Sequence, residues 1–156
     1  MSAITDRSGF RVLFRRRSRV VPLDLVVGRM VGAGLLAWMG WIHLHLWSAG
    51  YEHLHDVGPL FVLNFVAAVA VSLAVLGAPL RWLGLSAAAG VLVAAGTLGA
   101  LAISTNIGLF GFKEYLADNF VHLSIWVESA AVVVLAAVAS RAGVVVRKAV
   151  PGSGTR

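Results

Sequence analysis

The sequence predicts an all-α membrane protein: a four-transmembrane-helix bundle with both termini cytoplasmic. Three observations carry that prediction. First, residues of the set Ala, Val, Ile, Leu, Met, Phe, Trp, Tyr and Cys make up 59% of the 156-residue chain, and charged residues only 13%. A domain this short has too much surface to hide so many apolar side chains from water, and a disordered chain would be far less hydrophobic. Second, the apolar residues fall into four continuous runs, each near the ~20 residues needed to cross ~30 Å of hydrocarbon. The runs lack period-2 alternation, which favours helices over barrel strands. Third, the basic residues sit almost wholly on one side of those runs.

Residues 1–22 read as a basic cytoplasmic N-terminal tail. Arg11, Arg15, Arg16, Arg17 and Arg19 are interleaved with Phe10, Val12, Leu13 and Phe14. That pattern suits either a short amphipathic surface segment or a disordered tail. A basic stretch before an apolar run is also a signal-peptide feature. Here the basic stretch is too long and no small-x-small cleavage site follows, so an uncleaved signal-anchor is expected.

The transmembrane domain is expected over 23–140. Its first helix runs from about 25 to 49, with Pro22 and Asp24 marking the start. The second runs from about 59 to 78; Pro59 suits a first helical turn, and Gly77 with Pro79 ends the run. The third runs from about 81 to 107, with Gly108 as its stop. The fourth runs from about 117 to 140, and residues 141–156 form a basic cytoplasmic C-terminal tail. The short link around Pro79 makes helices two and three an antiparallel hairpin. Gly28-x-x-x-Gly32 and Ala95-x-x-x-Gly99 permit close backbone approach.

The charges then set the topology. With the N-terminus inside, every basic residue except Lys113 lies on the inner side, as the positive-inside rule requires. The net charge of +6 is thereby an anchor to anionic lipid rather than a nucleic-acid footprint. On the outer side, Phe110, Phe112 and Tyr115 fit an interfacial belt, joined by Trp38, Trp41 and Trp47; Trp82 fits the inner belt. The chain has no Cys, which removes disulfides and thiolate metal sites.

Candidate functional residues are those that violate the apolar pattern. An ionisable group in hydrocarbon costs a few kcal/mol or more, so it faces a partner or a cavity. His43, Asn64 and Glu128 are of this kind. Glu128 is expected near the midpoint of helix four. Helical side chains lean toward their own N-terminus, so His43 and Glu128, on antiparallel helices, converge in height. At 100° per residue His43 shares a face with Gly32, Leu36, Met39, Gly40 and Trp47. His45 faces elsewhere, near Trp38 and Trp41. A buried cluster of His43, Asn64 and Glu128 is therefore expected. It can serve either as a register-fixing hydrogen-bond cluster or as a working site.

Two outer-face alternatives remain. Glu52, His53, His55, Asp56 and His122 are residue types that bind zinc or copper(II). No HExxH appears, and Asp118 with His122 reads more simply as a local pair. Haem would need histidines on two helices, and His43 with His122 is the one candidate pair. His122 lies about 120° from Glu128 around the helix.

The segments His43-Leu44-His45-Leu46-Trp47, Gly58-Pro59-Leu60-Phe61-Val62-Leu63-Asn64 and Gly108-Leu109-Phe110-Gly111-Phe112-Lys113-Glu114 resemble a group of small four-helix actinobacterial integral membrane proteins. The resemblance covers about residues 25–140. It implies a four-helix fold and a bacterial plasma membrane, and implies no activity. The similar sequences are expected to carry an aromatic residue at the position of His45, so the extra histidines, His53 and His55 included, do not look like a family metal site.

The expected function is a structural or accessory subunit of a membrane assembly, built around the buried polar cluster. One alternative is a proton-coupled transport or relay component using Glu128 and His43; another is a single-haem or metal-binding protein at the outer face. No nucleophile–base pair, phosphate loop or paired carboxylates at a credible spacing is visible, so the expectation leans away from an enzyme. No cofactor is expected outside the haem and metal alternatives. The expected partners are the lipid bilayer, and other membrane proteins or a second copy of the chain; nucleic acid is not among them.

Overall fold

A computed structural model describes residues 21–108 and 119–149. Four helices account for nearly all of them: α1 (Leu23–Ser48), α2 (Gly58–Gly77), α3 (Leu80–Asn106) and α4 (Asn119–Ala149). All four are long and apolar enough to cross a membrane. The basic N-terminal segment, the aromatics Phe110, Phe112 and Tyr115, Lys113, Asp118 and the last seven residues lie outside the described residues.

Local sequence sets the helix ends. Pro22 precedes α1, and its carbonyl accepts from the Leu25 and Val26 amides at 3.0 and 3.2 Å. Pro59 occupies the first turn of α2, where a missing amide proton is harmless. Pro79 separates α2 from α3 without interrupting either. Gly108, at φ +85°, lets the chain turn at the end of α3 while its amide bonds the Ile103 carbonyl at 3.1 Å. Between α1 and α2, Tyr51–His53 form one 3₁₀ turn.

The fourth helix is longer than the expected 117–140. It continues through Ser140 to Ala149. No proline lies between Asn119 and Pro151, and after Ser140 Gly143 is the single poor helix former, too weak alone to stop the helix. Arg147 and Lys148 occupy the last turn, where they complement the negative end of the helix dipole. At 1.5 Å per residue α4 is roughly 46 Å long, more than a hydrocarbon core requires.

The helices form a ring in which α1 packs on α2 and α4, and α3 packs on α4 and α2. The α1 and α3 helices also meet across the centre, and the α2–α3 seam is the loosest of the four. One end of the bundle, the termini end, carries the α2–α3 turn and the described chain ends. The other, the loop end, carries the α1–α2 and α3–α4 connections.

The termini half is close-packed. Leu135 of α4 is fully buried, with Gly32 of α1 and Gly90 of α3 on either side of it. A Cβ at Gly32 would lie 2.6 Å from one Leu135 methyl, and one at Gly90 2.7 Å from the other. Gly28, four residues before Gly32, faces Val138 in the same way. The Gly28–Gly32 spacing is thus the seam between α1 and α4. Ala95 and Gly99 are exposed, so that spacing is not a packing seam of the bundle. Polar ties close the same end. Arg29 donates to the Ala78 carbonyl at the end of α2, and Arg141 of α4 binds Asp24 of α1 through Nε at 2.8 Å and Nη2 at 2.6 Å. The described Lys and Arg residues, Arg29, Arg81, Arg141, Arg147 and Lys148, all belong to this end.

Candidate functional site

The loop half is built differently. Between α2 and α3 lies a cavity of about 430 Å³. Its walls are mostly aliphatic: Leu60, Leu63 and Ala67 from α2, and Leu92, Gly96 and Ala100 from α3. Leu60, Leu63 and Leu92 are exposed on the outer surface of the bundle, so the cavity opens sideways between these helices. Its polar wall is formed by His43, Asn64, Thr97, Ser104, Ser124 and Glu128.

His43 of α1 and Glu128 of α4 lie side by side. Both are buried, Glu128 completely. His43 Nε2 lies 3.7 Å from Glu128 Oε1, close enough for charge interaction but long for a direct hydrogen bond. His43 Nδ1 lies 2.9 Å from the Met39 carbonyl oxygen. A carbonyl oxygen only accepts, so Nδ1 carries the proton, and Nε2 of the neutral ring is a bare acceptor. Two acceptors thus face one another. The contact is favourable when one partner carries a further proton, on Nε2 or on Oε1, and the pair then has no net charge. Phe61 covers the imidazole, their ring centres 5.4 Å apart.

Asn64 lines the same cavity without reaching that pair. Its Nδ2 donates to Thr97 Oγ1 on α3. Thr97 gives its own hydroxyl proton to the Val93 carbonyl at 2.9 Å, so it offers Asn64 only lone pairs. This fixes the amide with Nδ2 toward Thr97 and Oδ1 away from it. Asn64 Oδ1 and Glu128 Oε2 are buried atoms with no hydrogen-bond partner among the described residues.

Ser124 and Thr97 were not among the sequence-derived candidates. Ser124 donates to Glu128 Oε1 at 2.6 Å. It stands one helical turn before Glu128, an i, i+4 relation readable in the sequence. Thr97 had no such signal, because its pairing with Asn64 depends on how two helices meet. Glu128 lies well to the loop side of the middle of α4, not near the midpoint, because the helix extends to Ala149.

The remaining candidates lie elsewhere. His45 stacks on Trp41 at 5.4 Å between ring centres and touches Phe120 at 4.9 Å. Glu52 and His53 form an exposed pair at 3.5 Å. His55, Asp56 and His122 are also exposed. Among the described residues, no three His, Cys, Asp or Glu side chains are grouped to hold a metal ion. His122 does not line the cavity that holds His43.

Comparison with protein-family models, with curated proteins and with solved structures finds no match for this chain. Functional argument therefore rests on the site itself.

Proposed function

We propose that the protein is a small multi-pass membrane protein that binds a lipophilic molecule between α2 and α3, with His43 and Glu128 as the polar anchor. One observation carries the reading: a sideways-opening aliphatic cavity ends on a fully buried carboxylate that keeps a free oxygen. Small-molecule sites combine an apolar lining with a few convergent polar groups in this way, and 430 Å³ falls within their usual size. A cluster serving only to fix helix register would be expected to satisfy its buried polar atoms; here two oxygens are left over.

This reading gives the expected accessory role a content, that of a ligand-binding subunit. It narrows the relay alternative. A relay across the membrane needs polar groups along the whole path, whereas Leu25, Leu36, Val75, Leu83 and Leu135 fill the core of the termini half. Proton movement is then local, between His43 and Glu128. We assign the loop end to the outside of a bacterial plasma membrane and both chain ends to the cytoplasm. The one-sided basic residues support the orientation, and the resemblance of the three sequence segments supports the compartment.

Methyl-labelled protein in lipid nanodiscs tests the proposal by NMR. Titration with 4-nonylphenol is expected to move the methyl signals of Leu63, Leu92 and Ala100 and to leave Leu25 and Leu83 in place. Gly96 lines the cavity, and a Cβ there meets nothing within 4 Å. Gly96→Leu is therefore expected to fill the space and suppress the shifts without unfolding the bundle. Shifts spread evenly over both halves, or unchanged by Gly96→Leu, would refute the cavity as the binding site.

A further inference from the structure

We infer that the cavity selects a neutral amphiphile whose headgroup donates a hydrogen bond, a hydroxyl-bearing lipid or phenol, over one that only accepts. The inference rests on the binding reading above and names the ligand chemistry of that same site.

Hydrogen-bond accounting leads there. Most donors on the polar wall are already used inside the protein. The Ser124 hydroxyl goes to Glu128, the Thr97 hydroxyl to Val93, one of the two Asn64 amide protons to Thr97 and the His43 Nδ1 proton to Met39. The buried atoms of this wall left without partners are both oxygens, Glu128 Oε2 and Asn64 Oδ1. With one further proton on His43 Nε2 or Glu128 Oε1, Oε2 stays an acceptor and the pair stays neutral. A buried acceptor is costly to leave unmatched. A ligand hydroxyl matches it; an ether, ester or ketone oxygen would face it lone pair to lone pair.

Charge decides between neutral and cationic donors. Among the described residues lining the cavity, the titratable groups are His43 and Glu128. When they share a proton, no net negative charge remains to hold an ammonium group in an apolar site. The aliphatic walls and the mouth among exposed Leu60, Leu63 and Leu92 suit a ligand that arrives dissolved in lipid, tail alongside α2 and α3 and headgroup inward.

The test compares three ligands with one apolar body, titrated into the full chain in nanodiscs at one lipid ratio. These are 4-nonylphenol, its methyl ether 4-nonylanisole, and the cationic 4-nonylbenzylamine. The phenol is expected to bind about tenfold more tightly than the ether, the scale of one matched buried hydrogen bond, and more tightly than the amine. Asn64→Leu and Glu128→Leu each remove one free acceptor and are expected to bring the phenol-to-ether ratio toward unity. Using both keeps the test decisive if one variant folds poorly. Equal binding of phenol and ether at the cavity overturns the donor inference and leaves the binding site standing. Tighter binding of the amine overturns the neutral headgroup. A ratio unchanged in both variants overturns the assignment to these two oxygens. No cavity shift with any ligand overturns the binding reading and this inference together.

Discussion

The two halves of the bundle use the same four helices to opposite ends. Toward the termini, glycines bring backbones together around Leu135, and two arginine contacts tie α1 to its neighbours α2 and α4. Toward the loops, α2 and α3 part, and the space between them is aliphatic on its walls and polar at its end. In lipid, apolar side chains gain little by leaving one hydrocarbon for another, so helices associate through close packing and internal hydrogen bonds. The termini half uses that rule fully. The loop half leaves it incomplete at one seam, and the omission coincides with the one fully buried carboxylate among the described residues. Packing quality, rather than hydrophobicity, separates scaffold from site in this molecule.

Substitutions can break or sharpen that contrast. The largest effect is expected from Leu135→Ala, which opens a void among Gly32, Gly90 and Leu36. A loss of about 2–5 kcal/mol is expected, by analogy with buried leucine truncations, measured as a lower midpoint in detergent-denaturant unfolding. Gly32→Ala follows, at about 1–3 kcal/mol, because the new methyl meets a leucine already confined from the other side by Gly90. Arg141→Ala removes an exposed contact to Asp24. Its effect is expected to be small and to vanish at high salt, since exposed ion pairs are screened. Gly96→Leu is expected to change stability least, within about 0.5 kcal/mol, while abolishing ligand shifts. If Gly96→Leu destabilised the bundle as much as Gly32→Ala, the two halves would be equally packed and the contrast would fail.

The sequence made the helical scaffold legible because the bilayer imposes a coarse and demanding pattern. Apolar runs, Pro59, Pro79 and Gly108 located three helices to within about two residues at each end. The end of α4 is not legible in this way: hydrophobicity falls after Ser140, but a helix needs a breaker or a competing partner to stop, and α4 runs on to Ala149. His43 and Glu128 were legible together, through burial cost and the lean of helical side chains. Asn64 was legible as a polar residue of the same region, but its partner was not. Whether it reached Glu128 or Thr97 depends on the relative rotation of α2 and α3, which no spacing within one helix encodes. The cavity was invisible for the same reason. An absence of packing is a property of two helices at once, and Leu63 and Leu92 look in sequence like any lipid-facing leucine.

The sideways mouth between α2 and α3 changes the unit in which an occupant must be counted. A molecule that enters through hydrocarbon is drawn from its mole fraction in the leaflet, not from its molarity in water. Partitioning has already removed most of its apolar surface from water before it meets Leu63 or Leu92. The aliphatic walls then add little driving force, and discrimination falls to the few atoms around His43, Asn64 and Glu128. A dissociation constant quoted against total ligand per sample volume would rise in proportion to added lipid, although nothing at the site had changed.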